Sequence, residues 1–122
     1  MAENEYFDLK SVEEALAWLK EKLDELEDLG PKERRAMDMG DLDSAEEISI
    51  AIQDIMEEIS QRGIVVRDQS MIIFDFPAVI NNMPAYLCWK RGEPGVSHWH
   101  YLDEGFDGRR DLTGEESVMS AL

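Results

Sequence analysis

The chain has 122 residues, 43% of them apolar, and a formal net charge of −16. That length suits one domain able to bury roughly two thirds of its unfolded surface, and the apolar share separates it from disordered chains. The charge argues against nucleic acid and anionic membranes as partners, since both are bound by matching phosphates with Lys and Arg.

Residues Leu9, Val12, Leu16, Leu19, Leu23 and Leu26 recur at alternating spacings of three and four, a heptad seam of the coiled-coil kind. They predict a helix over 8–29, about 33 Å long. Asp8 can cap it, and Ser11 with Glu14 offers a second capping box. Gly30-Pro31 should end it, because Gly accepts a left-handed cap and Pro interrupts the hydrogen-bond ladder. A polar connection is expected from Lys32 to about Leu42, with a short turn at Glu33–Met37.

A second helix restarts at Asp43 with Glu46, or at Ser44 with Glu47, and carries an Ile48, Ile52, Ile55, Ile59 stripe before Gly63 stops it. The two helices should pack as an antiparallel hairpin. Trp18 and Ile50 fall off the two stripes and must cover the sheet or a second chain.

The second half reads as strands. Ile64–Arg67 is short and β-branched, and Asp68-Gln69-Ser70 turns the chain. Met71–Phe76 is the second strand, stopped by Pro77; Ala85–Lys90 is the third; Arg91–Gly95 is a tight turn; Val96–Leu102 is the fourth. Short strands without intervening helices imply an antiparallel meander. The tail after Asp111 is small and polar and is expected to fray.

Chemistry-bearing residues concentrate in His98–Arg110, which holds both histidines of the chain. His98 and His100 lie two apart on a strand and share a face, so they can meet one metal ion, with Asp103 or Glu104 supplying oxygen. Alternatively, His100 and Glu104 form an acid/base pair while Arg109 holds a small anionic ligand. The competing reading is an internal network in which Arg109 and Arg110 pair with Asp103, Glu104 or Asp107. Asp75, between Phe74 and Phe76, faces either the His100–Arg109 pocket or solvent, and strand alternation favours solvent. Trp89, Trp99, Tyr86 and Phe106 line either an apolar pocket or the core of the sheet. Cys88, the one cysteine, reads as a small buried hydrophobe. No phosphate loop, serine elbow or zinc-type cysteine pair is present.

Asp75-Phe76-Pro77-Ala78, Tyr86-Leu87-Cys88-Trp89, Gly92-Glu93-Pro94, Trp99-His100 and Asp103-Glu104-Gly105-Phe106 with Gly108-Arg109-Arg110 form an ordered series. Together with Tyr6-Phe7 before the first helix, they resemble domain-of-unknown-function family 2203, a family of small bacterial proteins. Two places depart from its pattern. His98 stands at a position that is aromatic in the family, and Val79–Pro84 lacks the basic residue and Asp-Gly turn of that loop. The resemblance implies no activity, because the family is uncharacterised.

The fold expected is α+β: a long helical hairpin on a small antiparallel sheet of three or four strands. It forms a single domain over 1–122, with the hairpin at about 8–62, a β-meander at about 63–102 and a C-terminal loop and tail at 103–122. The function expected is a cytoplasmic, non-catalytic binding or assembly module that forms a homodimer through its helices, with no cofactor; a lone cysteine and no secretory signal pattern point to that compartment. The alternative is a small enzyme or metal protein built on His100, Glu104 and Arg109. Asp75, Trp89, Trp99, Asp103 and Arg110 are the further ligand-binding candidates, and His98, His100 and Asp103 would hold a divalent metal.

Overall fold

The computed structural model describes residues 6–121. Its first element, α1, runs Leu9–Asp38 and is 30 residues long. The Asp8 carboxylate accepts from the Ser11 backbone N–H at 2.8 Å, and the Asp8 N–H donates to Ser11 Oγ at 2.9 Å, a reciprocal box that satisfies two orphan groups.

The helix does not stop at Gly30-Pro31. Pro31 lies inside it, where it lacks the N–H that would bond one turn back. The turns beyond it seat Ala36, which is buried, and continue to Met39, whose N–H bonds Arg35 O at 3.0 Å. One missing bond is offset by the extra helix–helix contact that the added length allows. The polar connection expected over 32–42 therefore shrinks to Met39-Gly40-Asp41, with Gly40 at φ 73°. Helix α2, Leu42–Gln61, is capped by Asp41 through the Ser44 N–H at 3.2 Å rather than by Asp43 or Ser44. Gly63, at φ 83°, follows its end as expected.

Among the described residues six strands follow: β1 Val65–Val66, β2 Ile73–Ile80, β3 Met83–Lys90, β4 His98–Tyr101, β5 Arg110–Asp111 and β6 Val118–Met119. They form one antiparallel sheet in the order β1-β2-β3-β4-β5, and β6 also pairs with β2. The sheet is thus larger than three or four strands. The residues after Asp111 return along it, so that Asn81 N–H bonds Ser117 O at 2.9 Å and Val118 sits opposite Ile80.

Pro77 does not stop β2 either; it pairs with Tyr86. Its carbonyl accepts from the Phe7 N–H at 2.7 Å, so its nitrogen also points away from β3. On that side β1 covers Phe74 and Asp75, and β6 covers Val79 and Ile80. Pro77 falls in the gap between them, where no ladder requires its N–H. Asn81 and Asn82, at φ 54° and 67°, make the two-residue turn into β3.

Alternation along the strands gives the sheet two different faces. Phe74, Phe76, Ala78 and Ile80 of β2, Leu87 and Trp89 of β3 and Trp99 of β4 form the main core with Val12, Leu16, Leu19, Leu23, Ile55 and Ile59 of the helices. Each fully buried Leu or Ile there stabilises the fold by about 1.5–3 kcal/mol. Trp18 is half-buried against this core with the Arg62 guanidinium 3.9 Å over its ring, so it needs no second chain; Ile50 stays exposed. The opposite face carries Asp75, Tyr86, Cys88, His98 and His100, and among the described residues neither α1 nor α2 covers it.

Candidate functional site

The turn at Asn81-Asn82 sets the register of the polar face. Counting back along β2 and forward along β3 puts Asp75 opposite Cys88, and Cys88 in turn lies opposite His98 on β4. His100 sits opposite Tyr86, whose ring centroid is 5.5 Å from the imidazole. The β2 and β4 strands are not neighbours, yet the Asp75 and His100 side chains reach each other across β3.

Asp75 and His100 are each only 1% exposed, so the expectation of a solvent-facing Asp75 is overturned. Asp75 Oδ2 accepts from Arg67 Nε at 2.6 Å and lies 2.9 Å from His100 Nε2. A charge so deeply buried persists only when paired. His100 Nδ1 lies 2.8 Å from Tyr101 O; a carbonyl only accepts, so Nδ1 carries a hydrogen. One proton must also lie between Nε2 and Oδ2, since two bare lone pairs would repel at that distance. Asp75 Oδ1 is buried without any partner, as is Trp99 Nε1 on the other face. Such orphaned atoms are uncommon in a folded protein.

Cys88 is fully buried, as expected of a small hydrophobe, but its neighbours are polar. Burial, and then the Asp75 charge, push its thiol up to about 12, so it stays protonated at neutral pH. Arg109 acts in the other direction on the same thiol.

The loop after β4 closes the site. Arg109 donates two parallel bonds to Glu93, at 3.1 and 2.7 Å, and stacks 4.2 Å from the Phe106 ring centre. This bidentate fork, with the Glu93 charge, outweighs burial, which acts in the other direction, and leaves the Arg109 guanidinium above its ordinary range. Burial alone would raise the Glu93 carboxyl, but Arg109 and the Lys90 N–H outweigh it and hold it low. His98 bridges Glu93, at 3.5 Å from Nδ1, and Asp111, at 3.0 Å from Nε2.

Glu104 accepts from the Tyr101 N–H at 2.9 Å and from Arg110 at 2.8 Å. The Tyr101 N–H first, and then the Arg110 charge, hold its carboxyl below the usual range. Gly108 packs against this side chain: a Cβ there would lie 2.9 Å from Glu104 Cβ, so only glycine fits without a shift.

The structure sorts the expected site residues. Asp75, His100, His98 and Arg109 share the helix-free face. Glu104 and Arg110 pair with each other, and Arg110 stacks 4.8 Å from Trp99 instead of entering the polar cluster. Trp89 and Trp99 belong to the helix-facing core, so they do not back His100; Trp89 Nε1 donates to Glu93 O at 3.0 Å. Asp103 is exposed. Of the proposed acid/base set, His100, Glu104 and Arg109 each hold a different partner. Arg67, Cys88 and Glu93 were missed as site residues. The register from the two-asparagine turn would have flagged Cys88, but nothing in the sequence links Arg67 or Glu93 to the histidines.

A family model described as an uncharacterized conserved protein, DUF2203, matches residues 5–112. The chain belongs to this family. The match spans both helices and every element of the polar face, so the Asp75–Cys88–His100 grouping lies wholly within the family's extent. No curated protein and no solved structure matches the chain. No helix of the described residues is long and apolar enough to cross a membrane.

Proposed function

We propose that the protein is a non-catalytic assembly module that forms a homodimer through the distal half of its helical hairpin. One observation carries the reading: among the described residues, none from 30 to 54 joins the main core, yet this stretch is rich in apolar side chains. Ile48 and Ile52, expected to be core, are only half-buried. Met37, Met39, Leu42 and Ile50 are 57%, 76%, 65% and 52% exposed. A pair of helices buries only one stripe of each against the other, and the rest of such an arm needs further helices to cover it. A second copy supplies two, completing a four-helix arrangement.

Charge supports the same occupant. Helix α2 carries Asp43, Glu46, Glu47, Asp54, Glu57 and Glu58 and no Lys or Arg. Lys32, Arg34 and Arg35 cluster near the end of α1. An antiparallel approach sets the basic end of one α1 against the partner's acidic α2. The candidate acid/base groups are each engaged by a separate partner, His100 by Asp75, Glu104 by Arg110 and Arg109 by Glu93, which fits a binding rather than a catalytic role.

Light scattering after gel filtration tests this. A particle of twice 14.0 kDa is expected, falling to one chain's mass in Ile50→Glu/Leu42→Glu while helical circular dichroism is kept. A single-chain mass at every concentration of the wild type would refute the dimer.

A further inference from the structure

We infer that Asp75, Cys88 and His100 form a binding site for a single zinc-like divalent transition-metal ion on the helix-free face of the sheet. The inference is independent of the dimer, because it rests on different residues.

One ligand atom from each of the three residues lies within 4.8 Å of the others, and all three residues are buried. A tetrahedral zinc ion with bonds of about 2.0–2.3 Å holds its ligand atoms about 3.3–3.6 Å apart. The Asp75–His100 contact, at 2.9 Å, is shorter than that range, and the group as a whole is wider. Binding therefore requires the three side chains to turn toward one common point, with Asp75 presenting Oδ1 rather than the Oδ2 that faces His100.

The donor set is specific. Thiolate, imidazole and carboxylate together suit zinc and its neighbours; hard ions such as Mg²⁺ and Ca²⁺ take oxygen alone. The supporting contacts are those that a metal site needs. Tyr101 O fixes the hydrogen on His100 Nδ1, so that Nε2 is the ring atom facing the cluster and can bind once the proton it shares with Asp75 has left. Arg67 occupies Asp75 Oδ2 and orients the carboxylate, while Oδ1 is buried and unpartnered. An orphaned carboxylate oxygen beside a thiol and an imidazole nitrogen is what an ion would complete. On binding, the Cys88 thiol proton and the proton between His100 and Asp75 leave to solvent, and the metal takes their place. Three protein ligands are the number that a four-coordinate zinc site holds when its fourth position is left open.

The site differs from the His98, His100, Asp103 set expected from spacing. His98 is held by Glu93 and Asp111, and Asp103 is exposed.

Cobalt(II) added to the reduced, metal-free full chain tests the inference. The expected spectrum has an intense near-ultraviolet thiolate-to-cobalt band and visible bands of tetrahedral strength, saturating at one ion per chain. Zinc should displace it. Cys88→Ser should remove the charge-transfer band and weaken zinc at least tenfold in competition with a chromogenic chelator; His98→Ala should leave both unchanged. The wild-type spectrum needs no variant to fold. Absence of a thiolate band, binding above or below one ion per chain, or a band lost in His98→Ala would each overturn the assignment.

Discussion

Replacing His100 by Leu tests the central pair most directly. The substitution keeps the volume close to that of the imidazole but removes one partner of a carboxylate that is 1% exposed. Asp75 would retain Arg67, whose side chain is 41% exposed and therefore binds the carboxylate in partly hydrated surroundings. Breaking a buried pair from one side costs about 3–5 kcal/mol. For a domain of this size that lowers the Tm by about 10–20 °C. The double variant Asp75→Val/His100→Leu leaves no buried charge, because Arg67 can turn to water. It should be more stable than His100→Leu alone, with a coupling of at least about 2 kcal/mol in the cycle. Urea unfolding in the presence of a chelator gives all four free energies and keeps any bound metal out of the comparison. A loss below about 1 kcal/mol for His100→Leu, or strict additivity of the two changes, would refute the argument that the pair stands or falls together.

Two further outcomes follow from other parts of the molecule. The Glu93 carboxyl is held low by Arg109, so its contribution to stability is fully present above the ordinary glutamate range, near pH ~4.3, and is lost as the pH falls through its lower native value. Glu93→Gln should therefore destabilise the protein at neutral pH and flatten the acid limb of its stability curve; an unchanged limb in acid titration would show that the pair carries no linkage. Pro31→Ala restores an N–H inside α1 and removes a ring from the helix interior, which should raise stability by about 1–3 kcal/mol in thermal unfolding. A neutral or negative effect would mean that the helix is broken there.

Much of the helical half was legible because burial on a helix leaves a periodic trace. Leu16, Leu19 and Leu23 announce a seam by spacing alone, and all three are buried. Gly63 marks a real end because a left-handed residue follows the helix there. Gly30-Pro31 misled for the same kind of reason: local preference favours a break, and only the packing beyond it, at Ala36 and Ala45, decides that the helix continues. Pro77 misled likewise, because its tolerance depends on where β1 and β6 happen to end.

The candidate site divides in the same way. Residue type singled out His98–Arg110 and marked Asp75 as a candidate, since charges beside aromatic rings stand out, but strand alternation favoured solvent for Asp75, which is buried. The partners could not be read in this way. Arg67 lies eight residues from Asp75, Glu93 sixteen from Arg109, and His100 twenty-five from Asp75. Within one strand a side chain's face follows from parity, but which strand lies alongside, and in what register, comes from turns and long-range pairing. Composition and periodicity alone settled that this acidic chain makes two helices followed by antiparallel strands, because those signals are local. Sheet order and the face left free of helices determined that a carboxylate, a thiol and an imidazole meet in one dry place, because only chain segments distant in sequence can enclose such groups and strip them of water.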